Sequence, residues 1–319
     1  MSSSMPRIVV VGCGQWGRNH VRTLHGIGAL AGVADRSPER AAALAGEFGV
    51  PALSPDAAIG GDAADALVLA LPAQAHGPAA RAAIAAGKDV LVEKPIALDA
   101  ADARLTAEAA RVAGRILMVG HVLRHHPIFR ALQAEVEAGA VGTVRHVVSN
   151  RMGLGRFLGM DAVWDLAPHD VSLILAIAGR SPDRVGAARR TVLSDETDEA
   201  DIDFGFSGGL TAAIRVSRVS PYRDRRFSVV GSEGMITFDD LAPAGAKLAL
   251  YRHRVWREGA HFAFAEAQPS FLPEPAGLPL EAELRHFIDC VATRKPPLTG
   301  AEEAVETVRI LQLASPLRG

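Results

Sequence analysis

Ile8-Val9-Val10-Val11-Gly12-Cys13-Gly14-Gln15-Trp16-Gly17 is the stretch that decides the fold. Four apolar β-branched residues in a row suit a short strand buried on both faces, as in a parallel sheet. The glycines at positions 12, 14 and 17 form a G-x-G-x-x-G pattern directly after that strand and open a helix. The first glycine permits a tight turn, the second lets backbone approach a pyrophosphate, and the third lets helix and strand pack closely. Phosphates then sit at the positive end of a helix. A glycine-rich turn without a ligand is the plain alternative, and the strand–turn–helix context weighs against it. Gln15 and Trp16 fall inside the motif and are assigned to the same dinucleotide cradle.

Asp35 ends the next strand, Leu30 to Ala34, about twenty residues beyond the glycines, where a carboxylate accepts hydrogen bonds from adenosine ribose hydroxyls. A 2′-phosphate would be repelled there, which favours NAD over NADP. Arg36 is the counter-observation, because its guanidinium could pair with that phosphate or stack on adenine. The bland reading of Asp35 is a strand-end residue capping the following helix.

From Ile8 to Gly120, short β-branched runs alternate with Ala-rich amphipathic stretches, as in repeated βαβ units. Further strands are expected at Ala66 to Leu71, Val90 to Glu93 and Ile116 to Val119. Ser37-Pro38 and Asp99 open helices, and Gly87 closes one that runs from Gln74 to Ala86. The fold class is thus an α/β Rossmann domain over residues 1–121. Beyond His121 the pattern changes to α+β, giving a second domain over 122–319 with mostly antiparallel strands. A helix is expected at Pro127 to Ala138, strands at Thr143 to Met152, Ala200 to Phe206, Leu210 to Val219, Phe227 to Val230, Met235 to Phe238 and Lys247 to Arg252. Another helix is expected over Val171 to Ala178, and two more at Leu280 to Thr293 and Ala301 to Leu313.

A chain of 319 residues suits two domains of ordinary size. A formal net charge of -2 supplies no global pull toward nucleic acid or anionic membrane, so an anionic ligand must be held locally. The two cysteines, Cys13 and Cys290, lack disulfide or zinc spacing, and a reducing cytoplasm fits them. Met1 to Arg7 shows no export signal, and no apolar run approaches the roughly 18 residues of a membrane span. His125-His126, His20 and His25 lack acidic or cysteine partners at ligand spacing and are read as surface or packing residues, with no metal expected.

Two clusters carry chemistry. Glu93-Lys94-Pro95 follows a strand at its carboxyl end, the edge where ligands bind in a doubly wound sheet. The Lys94 ammonium could hold a substrate oxygen as alkoxide character develops, or it could be a solvated surface lysine. In Trp164-Asp165-Leu166-Ala167-Pro168-His169-Asp170, Asp165 and His169 are four apart. If a helix begins near Pro168 they share one face of its entry turn, where His169 can take or give a proton near neutral pH. Helix capping by Asp165 or Asp170, with His169 as packing, stays open beside that reading.

The glycine fingerprint, Leu71-Pro72 followed by His76, Glu93-Lys94-Pro95, and the Asp165 to His169 spacing occur in the order seen in the Gfo/Idh/MocA oxidoreductase family. The chain resembles that family over nearly its full length, including an open-faced sheet domain. The resemblance implies oxidation or reduction of a secondary carbinol of a sugar, cyclitol or sugar nucleotide by NAD(P). It implies Lys94 on the reacting oxygen, His169 as proton acceptor and Asp165 assisting it. Leu71, Pro72, His76, Glu93 and the His121 to Arg124 segment match positions bordering the nicotinamide or the pocket. Ser149 to Arg156 is similar to a branch associated with nucleotide-sugar modification, often at C3 of a UDP-linked N-acetylated hexose or hexuronic acid. Arg124, Asn150, Arg151, Arg156 and Trp164 are expected to meet substrate, Arg151 and Arg156 a diphosphate or carboxylate and Asn150 a sugar hydroxyl. A free polyol or sugar is the alternative substrate. A cofactor-binding regulator without catalysis and an NAD-dependent glycosidase are the alternative classes. A homodimer or homotetramer is the expected assembly.

Overall fold

The computed structural model describes residues 5–155 and 160–316. The chain divides into two compact units, Met1–His125 with Leu278–Arg309, and His126–Gly277 with Ile310–Gly319. The first unit is discontinuous, which differs from the division at residue 121 expected from the change of sequence pattern.

The first unit carries β1 (Ile8–Val11), α1 (Gln15–Ile27), β2 (Leu30–Ala34), α2 (Pro38–Phe48), β3 (Ala52–Leu53), α3 (Pro55–Gly60), β4 (Ala66–Leu69), α4 (Ala73–Ala85), β5 (Asp89–Glu93), α5 (Ala100–Ala113) and β6 (Leu117–Gly120). Its six strands are all parallel in the order β3-β2-β1-β4-β5-β6. The order reverses between β1 and β4, so the connections leaving their carboxyl ends diverge and leave a crevice for a ligand. Local chemistry fixes the helix starts. The Ser37 hydroxyl accepts from the Arg40 amide, and Asp99 accepts from the amides of Ala101 and Asp102. The two-residue β3 was not expected, being too short for a periodic signal.

The second unit carries α6 (Pro127–Glu137), β7 (Val144–Leu154), α7 (Ala162–Ala178), β8 (Arg184–Arg190), β9 (Glu199–Gly205), β10 (Thr211–Ser217), β11 (Val219–Gly231), β12 (Met235–Asp239), β13 (Leu248–Tyr251), β14 (Arg254–Glu258), β15 (His261–Ala265) and β16 (Ser270–Phe271). An eight-stranded sheet runs β16-β13-β12-β11-β7-β10-β9-β8, antiparallel except for the β7–β10 pair. β14 and β15 form a separate ribbon. β8 escaped the sequence reading because Arg-Val-Gly-Ala-Ala-Arg-Arg lacks apolar alternation; it is an edge strand, where arginines deter further pairing.

Two helices follow, α8 (Pro279–Thr293) and α9 (Ala301–Ala314). Leu284, Phe287 and Cys290 of α8 are fully buried in one core with Val21, Leu24 and Met118. That apolar stripe draws α8 to the first unit and makes the unit discontinuous. No helix among the described residues is long and apolar enough to cross a membrane.

Candidate active site

The first unit offers a dinucleotide cradle. Gly12 has φ +106°, a left-handed conformation that glycine alone adopts without strain. A Cβ on Gly12 would collide with the Ala70 carbonyl, and one on Gly17 with the carbonyl of Gly12, whereas one on Gly14 would meet nothing within 4 Å. Gly14 caps α1 without a side-chain hydrogen bond. The helix N-terminus is therefore reachable by an anion. A cleft of about 690 Å³ opens over it, lined among others by Gln15, Trp16, Asp35, Arg36, Leu71 and Pro72. Burial and the Asp35 carboxylate push the Cys13 thiol up to about 11, so the cysteine inside the motif is a neutral thiol at neutral pH.

Asp35 ties the glycine turn to α2. Its Oδ2 accepts from the Cys13 amide at 2.8 Å and its Oδ1 from the Ser37 amide at 2.9 Å. Burial raises its pKa, but the Ser37 and Cys13 amides with Arg40 and Arg36 outweigh that and hold the carboxyl below its ordinary value. Arg40, which the sequence reading did not single out, lies 3.2 Å from Oδ1. The carboxylate expected to meet a ribose is thus ionised at the cleft, with two arginines beside it.

The residues around Lys94 are braced from below. Glu93 accepts from the Trp16 indole N–H, from His20 Nε2 at 2.7 Å and from the Lys94 amide at 3.2 Å. Burial pushes the Glu93 carboxyl up, and His20, Trp16 and Lys94 more than offset it, holding the group below the usual range. His76 faces the Pro95 carbonyl through Nδ1 at 2.7 Å and the Leu71 carbonyl through Nε2 at 2.8 Å. Burial keeps its pKa below the ordinary histidine value. Glu93 and His76, expected at the cofactor, are 7% and 1% exposed and brace the loops that touch the cleft. His20, read as a surface or packing residue, is buried against Glu93 because a buried carboxylate needs a donor. Arg124, expected at substrate, is buried and paired with Glu303 at 3.2 Å.

In the second unit, α7 begins at Ala162, earlier than either expected start at Pro168 or Val171. Asp161 makes the difference, its side chain accepting from the Val163 and Trp164 amides. Pro168 lies inside the helix rather than opening it. Asp165 and His169 are one turn apart and partly exposed, whereas every other residue of 161–175 except Leu166 is buried. Trp164, expected at substrate, is 0% exposed with its indole donating to the Ser315 carbonyl at 2.8 Å; it faces the core because the helix turns that side inward.

The β7 residues separate by strand alternation. Asn150 donates to Asp224 at 2.9 Å on one face. Arg151 points to the other, bonded to Asp170 through Nε at 2.7 Å and Nη2 at 2.9 Å, with the Ser149 hydroxyl also on Asp170. The two cannot together grip one ligand, and Arg151 is already committed to a carboxylate. Arg156 lies outside the described residues. Among the described residues no group of three or more His, Cys, Asp or Glu side chains is placed to hold a metal. A larger open groove, about 1040 Å³, runs along α5 and contains none of the residues above save Glu303.

Comparison with known proteins accords with this geometry. The model of the oxidoreductase family with NAD-binding Rossmann fold matches residues 6–121, and the GFO/IDH/MocA C-terminal domain model matches residues 129–237. The UDP-N-acetylglucosamine 3-dehydrogenase of Acidithiobacillus ferrooxidans is 31% identical, over 91% of this chain and 90% of its own length. A solved structure of UDP-N-acetylglucosamine 3-dehydrogenase from that organism superposes with a TM-score of 0.84 at 26% identity, covering 97% of this chain and 96% of the other. The inositol 2-dehydrogenase of Rhizobium meliloti is 27% identical over 76% of this chain and 78% of its own length.

Proposed function

The chain belongs to the Gfo/Idh/MocA oxidoreductase family, and on that footing we propose that it is an NAD-dependent dehydrogenase of a nucleotide sugar, oxidising the C3 carbinol of a UDP-N-acetylhexosamine or its uronic acid. The observation that carries the catalytic reading is the Asp165–His169 pair, one turn apart on the partly exposed stripe of α7. Lys94 stands next after β5 at the carboxyl end of the parallel sheet, the ligand-binding edge of that unit.

The cradle fits a dinucleotide: two glycines whose side-chain space is filled by backbone, an open helix N-terminus, and an ionised Asp35 for the ribose. Gly12, Gly14, Gln15, Trp16, Gly17, Asp35, Leu71 and Pro72 would hold NAD, with Glu93 and His76 shaping the wall. NAD supplies the hydride acceptor when bound. The protein's own work is positional and acid–base. The Lys94 ammonium hydrogen-bonds the reacting oxygen and stabilises its developing negative charge. His169 removes the hydroxyl proton, and Asp165, one turn away on α7, assists it. The ionised Asp35 favours NAD over NADP, against the pull of Arg36 and Arg40.

A panel of UDP-sugars and free polyols, monitored for NADH and for released sugar, tests this reading. Turnover of UDP-N-acetylglucosamine or its uronic acid supports it. Turnover confined to inositols would move the chain to the polyol reading that the Rhizobium relative suggests, and cleavage of a glycosidic bond would make it a glycosidase.

A further inference from the structure

Among the described residues, Arg225 is a cation without a protein partner on the sheet face that carries Arg151. β7 and β11 pair antiparallel with Arg151 opposite Arg225. Residues directly opposite each other project to the same face, and like charges placed so are unfavourable. Arg151 is compensated by its two bonds to Asp170. Arg225 is not. Its Nε is buried without a hydrogen-bond partner, and no ion pair forms at its guanidinium among the described residues. Burial, then Arg151 and Arg223, pull its pKa below the ordinary value, against the weaker pull of Asp240 and Asp170.

The two nearby carboxylates are engaged elsewhere. Asp170 takes Arg151 and the Ser149 hydroxyl. Asp240 lies 3.6 Å from Lys247 Nζ and 3.8 Å from His126 Nε2. On the opposite face the comparable charge is met, since Asp224 accepts from both Arg226 and Asn150. A half-buried guanidinium beside a second arginine is costly unless an anion completes it.

We infer that Arg225 is an anion-recognising residue of the substrate site, taking a phosphate or carboxylate group of the substrate, so that the enzyme selects charged sugar derivatives over neutral polyols. The inference rests on the nucleotide-sugar reading above and deepens it. Arg151 sets the electrostatic setting while locking α7, and Arg225 supplies the free donors. Through the Arg151 bridge to Asp170, Arg225 lies on the sheet face to which α7, the helix of the proposed base, is bonded.

The test is calorimetric binding of UDP, and separately of glucuronate, to NAD-saturated protein and to the Arg225→Met and Arg225→Lys variants. UDP is the phosphate arm and glucuronate the carboxylate arm. Arg225→Met is expected to weaken whichever anion binds by about ten- to a hundredfold, the scale of a hydrogen bond to a charged group. Arg225→Lys should restore part of the loss. The melting temperature of Arg225→Met should equal or exceed that of the parent, because a like-charge contact is removed, whereas a merely structural arginine would lower it. Unchanged affinity of Arg225→Met for both anions, or no binding of either by the parent, overturns the inference. Arg225-dependent UDP binding without turnover of any UDP-sugar would uphold the anion site and refute the reaction proposed above.

Discussion

The strand-end positions of Lys94, Asp35 and Glu93 were legible because chain geometry leaves few alternatives at the end of a strand in a βαβ unit. Asp35→Ala is expected to narrow the ratio of NAD to NADP affinity by about tenfold, the loss of one charge-assisted hydrogen bond, measured by titration of both cofactors. Glu283 was invisible in the sequence, where it reads as one more polar helix residue. In the structure it is 0% exposed and, among the described residues, neither carboxyl oxygen has a hydrogen-bond partner. Burial, with Glu93 second, raises its pKa well above 4.5. The folded chain therefore keeps a proton that the unfolded chain releases near its ordinary pKa. The stability Glu283 contributes is present below about pH 4.5 and is lost as pH rises toward the folded value. Glu283→Gln should raise the melting temperature at neutral pH and change it little in acid, so that the slope of melting temperature against pH flattens. An unaltered slope would show that Glu283 is not the group responsible.

Helix α7 shows what periodicity alone could not supply. Its C-terminal half was evident from an apolar run ending at Gly179, but Pro168 masked the half that carries Asp165 and His169. The signal for the true start was Asp161, an acidic N-cap ahead of a tryptophan. The Arg151–Asp170 bridge, long-range in sequence, fixes this helix against β7 and could not have been read from spacing. Arg151→Met should destabilise the protein by about 3–5 kcal/mol, because it leaves the Asp170 carboxylate buried without its main partner. The double variant Arg151→Met with Asp170→Leu should regain most of that loss in denaturant unfolding. If the single and double variants unfold alike, the bridge does not hold α7. In the glycine turn, Gly17→Ala should abolish measurable NAD binding, since its Cβ would strike the Gly12 carbonyl and reshape the turn.

Across the whole chain, the sequence conveyed the succession of a parallel α/β unit and a largely antiparallel unit, because strand chemistry and turn residues agree with the global fold at nearly every step. It did not convey that α8 returns to the first unit. An amphipathic helix advertises that it must be buried, not which core will accept it; Leu284, Phe287 and Cys290 gave no hint of Val21 and Met118. The same limit explains the substrate residues: Trp164, Arg124 and Arg151 have suitable chemistry, yet packing or pairing claims each, while Arg225 stood unremarked in a basic run. The proposed reaction draws on Lys94, next after β5, and on Asp165 and His169 of α7. The most direct measurement is turnover and NAD binding of Lys94→Ala with UDP-N-acetylglucosamine or whichever UDP-sugar the parent oxidises. Turnover should fall by about a hundred- to a thousandfold with NAD affinity retained; undiminished turnover would contradict the role assigned to Lys94 and with it the proposed mechanism.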